Sequence, residues 1–142
     1  EVNRHAVTSD GYYRTGDIAR FVHDGRIQVC GRIKEQINRA GEKIAPVEVE
    51  TVLRTHPLIT DAAVVGAKDE ALGERICAWI MTDGAEVTLA SLYVFLEENG
   101  VARFKYPDQL ERLDAWPVTS VGKVDKRKLS AMAEERYVRR DV

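Results

Sequence analysis

Cysteine is nearly absent, with two residues in 142, Cys30 and Cys77, each inside an apolar strand-like run. Two thiols are too few for a disulfide framework, so the expected setting is reduced, intracellular and cytoplasmic. Histidine is equally sparse. His5, His23 and His56 are scattered without metal-ligand spacing, and neither cysteine has a CxxC partner or a nearby histidine. No metal ligand is therefore assigned. No apolar run is longer than a strand, so no membrane span is expected, and the polar stretch Glu1 to Ser9 is not expected to act as a signal peptide. Charge of one sign is missing too: 21 basic and 23 acidic residues leave a net charge of −2. That balance excludes a basic nucleic-acid module and an acidic disordered tail. Repeats, low-complexity segments and a nucleophile elbow around Ser91 or Ser130 are also lacking. There is no initiator methionine.

What is present reads as globular, with 44% hydrophobic and 31% charged residues. Phe21-Val22 and Arg26 to Cys30 flank His23-Asp24-Gly25, the pattern of a short hairpin turned at Asp-Gly. Gly31 punctuates, Ile33 to Ile37 reads as a short alternating strand, and Arg39 to Lys43 reads as a loop. A helix is expected from Pro46 to His56-Pro57, with Glu48 and Glu50 early, where its dipole favours anions, and Val49, Val52 and Leu53 as its buried stripe. Ile59 to Ala67 and Glu74 to Thr82 are β-branched core strands joined by the polar loop Lys68 to Gly73. Thr88 caps a second helix that buries Leu89, Leu92 and Leu96 and ends at Gly100. Gln109 to Leu113 is another strand. A third helix follows Asp125, with Leu129 and Met132 on one face. The expected fold class is α+β: a short central sheet flanked by helices from about Arg32 onward, after a strip without a core of its own.

Three polar clusters could carry chemistry. In Gly11-Tyr-Tyr-Arg-Thr-Gly-Asp17, a carboxylate after a glycine turn can accept two hydrogen bonds from a vicinal diol, as a ribose presents. The alternative is a turn in which Asp17 bonds its own backbone, and spacing alone favours it. Gly31-Arg-Ile-Lys-Glu-Gln-Ile-Asn-Arg-Ala-Gly-Glu-Lys43 could line a site for an anion, or be a solvated edge strand guarded by charge. Val121-Gly-Lys-Val-Asp125 is no P-loop, because Pro117 stands where the first glycine belongs and Val124 replaces Ser/Thr. It leaves Lys123 on a turn before a helix, a point charge able to reach a neighbouring site or simply an exposed lysine. Lys126-Arg127-Lys128 and Arg139-Arg140 read as a solvated helix face.

In their order, Tyr13-Arg-Thr-Gly-Asp17, Gly31-Arg-Ile-Lys34, Arg39-Ala-Gly-Glu-Lys-Ile44 with Val47-Glu-Val-Glu50, and Gly122-Lys-Val-Asp-Lys126 resemble the late motifs of adenylate-forming enzymes. That superfamily contains acyl-CoA synthetases, peptide-synthetase adenylation domains and luciferases. Gln36 to Ile44, His56-Pro57 and Leu72-Gly-Glu-Arg75 are most similar to stand-alone aryl-acid ligases of siderophore biosynthesis. The resemblance implies ATP-dependent activation of 2,3-dihydroxybenzoate or salicylate, then transfer to the phosphopantetheine thiol of an aryl carrier protein.

It further implies that residues 1–31 end a large N-terminal domain, that residues 32–142 form a small mobile C-terminal domain, and that the hinge lies near 32–34. The chain is then expected to be a fragment, inactive alone, whose acid pocket and phosphate loop lie in the missing domain. By resemblance, Lys123 is the catalytic cation, Asp17 and Arg32 contact the ribose, and Lys34 is the hinge position, Asp or Lys in the family. Arg39, Ala40 and Gly41 would line the pantetheine tunnel, with Ala40 departing from the glycine common there. Mg2+ would accompany ATP, its ligands in the missing domain. Neither nucleic acid nor membrane is an expected partner. The rival enzymatic reading uses coenzyme A as acceptor, and a rival of another class is a non-catalytic docking module.

Overall fold

A computed structural model describes residues 6–138. His5 and Arg139-Arg140 lie outside the described residues. Strands β1 (Asp17–Phe21) and β2 (Ile27–Arg32) pair antiparallel as a separate two-stranded sheet. Its turn falls at the expected Asp24-Gly25: the Asp24 carboxylate accepts the Arg26 N–H at 3.3 Å, and Gly25 takes a left-handed φ of 78°. Strand β1 begins earlier than expected, so Asp17 is a strand residue. Phe21, Ile27 and Val29 are exposed, as a strip without its own core requires.

Two local expectations fail next. Ile33–Glu35 is one turn of 3-10 helix, not a strand, because Ile33 has no apolar surface to meet and stays exposed. Arg39 to Lys43 is not an open loop but the tip of a hairpin between β3 (Ile37–Arg39) and β4 (Glu42–Ile44). Ile37 and Ile44 face each other across it and are both fully buried, which fixes the register despite the charged tip. Ala40 and Gly41 form its two-residue turn with φ of 51° and 92°, the paired positive values of a type I′ turn. The Ala40 N–H donates to the Leu72 carbonyl at 2.7 Å, docking the tip on the next turn.

The larger sheet is built on β5 (Asp61–Asp69) and β6 (Gly73–Met81), paired antiparallel over nine residues each. On its other side β6 takes β3 at Gly73 and then β7 (Gln109–Arg112) in parallel. Side chains alternate between two cores. Ala62, Val64, Ile76, Ala78 and Ile80 pack with Val49 and Leu53 of helix α1 (Pro46–Leu53) and Leu92 and Leu96 of helix α2 (Leu89–Glu98). Ala63, Val65, Cys77 and Trp79 pack with Leu129 and Ala133 of helix α3 (Lys126–Val138) on the opposite face. Burial on both faces explains the continuous apolar runs in β5 and β6. The architecture is α+β, a central sheet flanked by helices.

Caps set the helix ends. Pro46 opens α1, Thr88 and Ser91 form a reciprocal capping box on α2, and the Asp125 carboxylate accepts the Lys128 N–H at the start of α3. Helix α1 stops at Leu53, a turn short of His56-Pro57; Val52 and Leu89 are only half-buried. The buried face of α1 is instead Pro46, Val49, Glu50 and Leu53. Glu50 is therefore no solvated dipole partner: it is 5% exposed.

Strand β5 forms one edge of the sheet, and side chains close it. Its Val64 N–H donates to Glu50 Oε1 at 2.8 Å, and its Ala62 carbonyl accepts Arg54 Nη2 at 2.6 Å. From α3, Ser130 Oγ donates to the Gly66 carbonyl, and Glu134 Oε1 accepts the Lys68 N–H at 3.1 Å. Among the described residues no helix is long and apolar enough to cross a membrane.

Candidate functional site

The end of β2 and the start of α3 meet at an open groove of about 680 Å³. Its lining includes Thr15, Gly16, Arg32 and Lys34 together with Thr119, Val124, Asp125 and Lys126. Asp17 and Arg32 are cross-strand neighbours in the β1–β2 register, and Arg32 Nε lies 3.0 Å from Asp17 Oδ1. The Asp17 N–H is satisfied by Thr15 Oγ1 at 3.1 Å, while its carboxylate meets the Arg32 guanidinium. A carboxylate held by one guanidinium keeps acceptor capacity for a diol, and the guanidinium keeps further donors. The side-chain exposures, 29% for Asp17 and 60% for Arg32, leave both reachable.

Lys123 stands on a small hairpin closed by the Val118–Val124 bridge. The Thr119 N–H donates to the Lys123 carbonyl at 2.7 Å, and Gly122 turns the chain with φ of 78°. This short backbone ladder presents an exposed ammonium. The flanks of the hairpin line the groove, while Lys123 itself and Asp17 lie outside its lining.

The tip of the β3–β4 hairpin lies elsewhere. Arg39 there is not turned to solvent: it grips Asp108 with Nε at 2.9 Å from Oδ2 and Nη2 at 2.6 Å from Oδ1. That hydrogen bond to Asp108 raises the guanidinium pKa further above its ordinary value. Asp108 Oδ2 also accepts the Ile76 N–H at 2.8 Å, so one carboxylate joins the hairpin to β6 and the start of β7. Next to it, Tyr93 donates to the Pro107 carbonyl at 2.8 Å, and burial followed by the Asp108 charge pushes its phenol up. The structure thus brings Asp17, Arg32, Lys34 and the flanks of the Lys123 hairpin to one region, and holds Arg39, Ala40 and Gly41 on another.

Sequence reasoning missed a half-buried cation in the groove's lining. Lys126, expected on a solvated face with Arg127 and Lys128, is half-buried, with Nζ 2.7 Å from Glu50 Oε1 and 3.2 Å from Glu35 Oε2. A signal was available: Pro46, Val49, Glu50 and Leu53 follow i, i+3, i+4, i+7, which places a carboxylate on the buried stripe and demands a partner. Among the described residues no group of three or more His, Cys, Asp or Glu is placed to hold a metal, so these residues offer Mg2+ no cluster.

Residues 48–123 match the AMP-binding enzyme C-terminal domain, and the chain belongs to that family. It is 47% identical over 138 residues to the 2,3-dihydroxybenzoate-AMP ligase of Bacillus subtilis, covering 97% of this chain and 26% of that protein. It is 47% identical over 125 residues to the salicyl-AMP ligase / salicyl-S-ArCP synthetase of Mycobacterium tuberculosis, covering 88% and 22%. Among solved structures, ATP-bound MatB from Rhodopseudomonas palustris superposes with a TM-score of 0.85 at 27% identity, covering 96% of this chain and 27% of that one. The chain therefore spans about a quarter of the length of the relatives it matches.

Proposed function

We propose that this chain is the C-terminal portion of an ATP-dependent ligase that activates an aryl acid, 2,3-dihydroxybenzoate or salicylate, as its acyl-adenylate. The ligase then passes the acyl group to the phosphopantetheine thiol of an aryl carrier protein. The observation that carries the reading is the groove: Lys34 and Arg32, the ion-pair partner of Asp17, line it, and so do the flanks of the Lys123 hairpin. Near-complete coverage by aryl-acid AMP ligases at 47% identity supports the acid class, and the salicyl-S-ArCP name of one relative supports the carrier.

In this reading residues 1–31 close the large domain and residues 32–142 turn about Lys34. A carboxylate attacks the α-phosphorus of ATP, pyrophosphate leaves, and an acyl-adenylate forms. The barrier lies in bringing two anions together and in charge on the phosphoryl oxygens. Asp17 accepts from the ribose hydroxyls with Arg32 beside it, fixing the nucleotide. Lys123, an exposed point charge on a backbone ladder, enters against the carboxylate and α-phosphate and withdraws when the domain turns. The thiol then attacks the acyl carbonyl and AMP leaves, with Ala40 and Gly41 lining the thiol's approach.

The test is Lys123→Ala in the full-length ligase. Acid-dependent ATP–pyrophosphate exchange is expected to fall by about 10²–10³, the scale of one preorganised charge, while transfer from preformed adenylate survives. Equal loss in both half-reactions would remove Lys123 from the adenylation step. Loading of coenzyme A against the aryl carrier separates the two acceptors.

A further inference from the structure

Lys126 lies three residues after Lys123, at the first turn of α3, and its ammonium joins two other segments. Glu50, on α1, holds it at 2.7 Å from within the protein; Glu35, in the 3-10 turn one residue past Lys34, holds it at 3.2 Å nearer the surface. The Glu50 carboxylate is itself fixed by the Val64 N–H at 2.8 Å and by Arg54 Nη2 at 3.8 Å. The charges facing the ammonium are thus Glu50 and Glu35, with Arg54 behind Glu50. The backbone between Lys123 and Lys126 is also held, by the Asp125 N–H on the Pro117 carbonyl at 2.7 Å and by the Asp125 cap. From Glu35 through Lys126 to Lys123, the path contains ion pairs and short hydrogen-bonded backbone, with no unanchored loop.

We propose that Lys126 is a positioning residue for Lys123: it rivets the root of the lysine hairpin to buried Glu50 and to the segment that follows Lys34. This rests on the proposed function above. A turn at Lys34 then moves Glu35, Lys126 and the hairpin together, and Lys123 arrives at a defined place instead of sampling a range. Lys126 touches no reacting atom. Its contribution is geometric, and a misplacement of about 1 Å at a reacting group costs on the order of 10² in rate.

The experiment uses the full-length ligase and four variants: Lys126→Met, Lys126→Arg, the double variant Glu50→Gln with Lys126→Met, and Lys123→Ala. Lys126→Met is expected to lower kcat for ATP–pyrophosphate exchange by about 10–10², with KM for ATP and acid unchanged and transfer from preformed adenylate intact. Lys126→Arg, which can still reach both carboxylates, is expected to recover most of the rate. Lys126→Met alone strands a buried carboxylate and can fail to fold, so the double variant decides. Its neutral amide keeps an acceptor for the Val64 N–H, thermal stability is expected to return, and the exchange defect is expected to remain. Stability and exchange recovering together would overturn the proposal, since a structural role alone predicts that. If Lys123→Ala loses exchange while Lys126→Met keeps it, the positioning role falls and the function stands. If Lys123→Ala keeps exchange, the functional reading itself falls.

Discussion

Asp108 offers the sharpest test of how the β3–β4 hairpin is held. Its carboxylate accepts two donors of Arg39 and the Ile76 N–H, while its own N–H donates to the Ile76 carbonyl at 2.8 Å. The side chains of the pair are 26% and 23% exposed, between the two regimes for which ion-pair energies are known. Exposed pairs are worth about 0–1 kcal/mol, and breaking a buried pair costs about 3–5 kcal/mol. An intermediate pair with bidentate geometry should cost about 2 kcal/mol when one partner is neutralised. Asp108→Asn is the conservative perturbation, because the amide oxygen still accepts the Ile76 N–H and only the charge and the second Arg39 contact are lost. Arg39→Met and the double variant complete a cycle, read by urea unfolding. Each single change is expected to cost about 2 kcal/mol, with a coupling energy above about 1 kcal/mol. A coupling near zero would show that the hairpin is held by Ile37, Ile44 and its backbone contacts without the ion pair, and the reasoning from Arg39 would fail.

Two further outcomes follow from backbone and burial. Ala40→Gly relieves an alanine at φ 51°, a conformation costing about 1–2 kcal/mol; the extra freedom of unfolded glycine offsets part of this. A net gain of about 0.5–1 kcal/mol and a Tm higher by a few degrees are expected, and a lower Tm would contradict the turn assignment. His56 stands edge-on to Phe95 at 4.6 Å and accepts the Leu58 N–H on Nδ1 at 3.1 Å, and burial lowers its pKa from 6.5. The folded protein then binds this proton less readily than the unfolded chain. The His56 contribution is complete above about pH 6.5 and is lost as pH falls through the lower folded value. Unfolding free energies measured from pH 7.5 to 5 should decline less in His56→Phe; identical slopes would exclude the ring. Asp61 does not confound this window. Burial pushes its carboxyl up, but Arg54, Trp116 and the Ala62 N–H outweigh it and hold the net value below 3.8.

Most of the framework was legible because period and punctuation agreed. The apolar runs of β5 and β6, the Asp-Gly turn at Asp24, Pro46, Thr88 and Asp125 each state a local preference that packing does not contest. The misreadings share a cause. Ile33 and Ile37 look alike in sequence, but only Ile37 has a partner across the hairpin and a core below it. Arg39 to Lys43 is polar in side chain yet paired in backbone, and charge says nothing about backbone pairing. Lys126 and Glu50 are 76 positions apart, so the run Lys126-Arg127-Lys128 carries no mark that its first lysine turns inward. Arg75, Gln109, Glu111 and Arg136 form a second hidden set. Arg75 Nε donates to Gln109 Oε1 at 3.0 Å, Gln109 to Glu111 at 2.8 Å, and Arg136 to Glu111 at 2.9 Å, fastening α3 across β6 and β7. No local pattern announces such a network, because each member is an ordinary polar residue until the chain has folded.

The closed edge of β5 has a consequence beyond this molecule. A nine-residue strand with an uncharged, mostly apolar centre from Ala62 to Ala67, at the margin of a sheet, is the kind of surface onto which another copy's strand adds. Here Glu50, Arg54, Ser130 and Glu134 already occupy the Val64, Ala62, Gly66 and Lys68 groups that such a strand would need. The protein can thus carry an apolar strand at its margin and still resist self-templated fibres. That protection depends on side chains from two helices, so loosening α1 or α3 would unmask it before the sheet itself came apart.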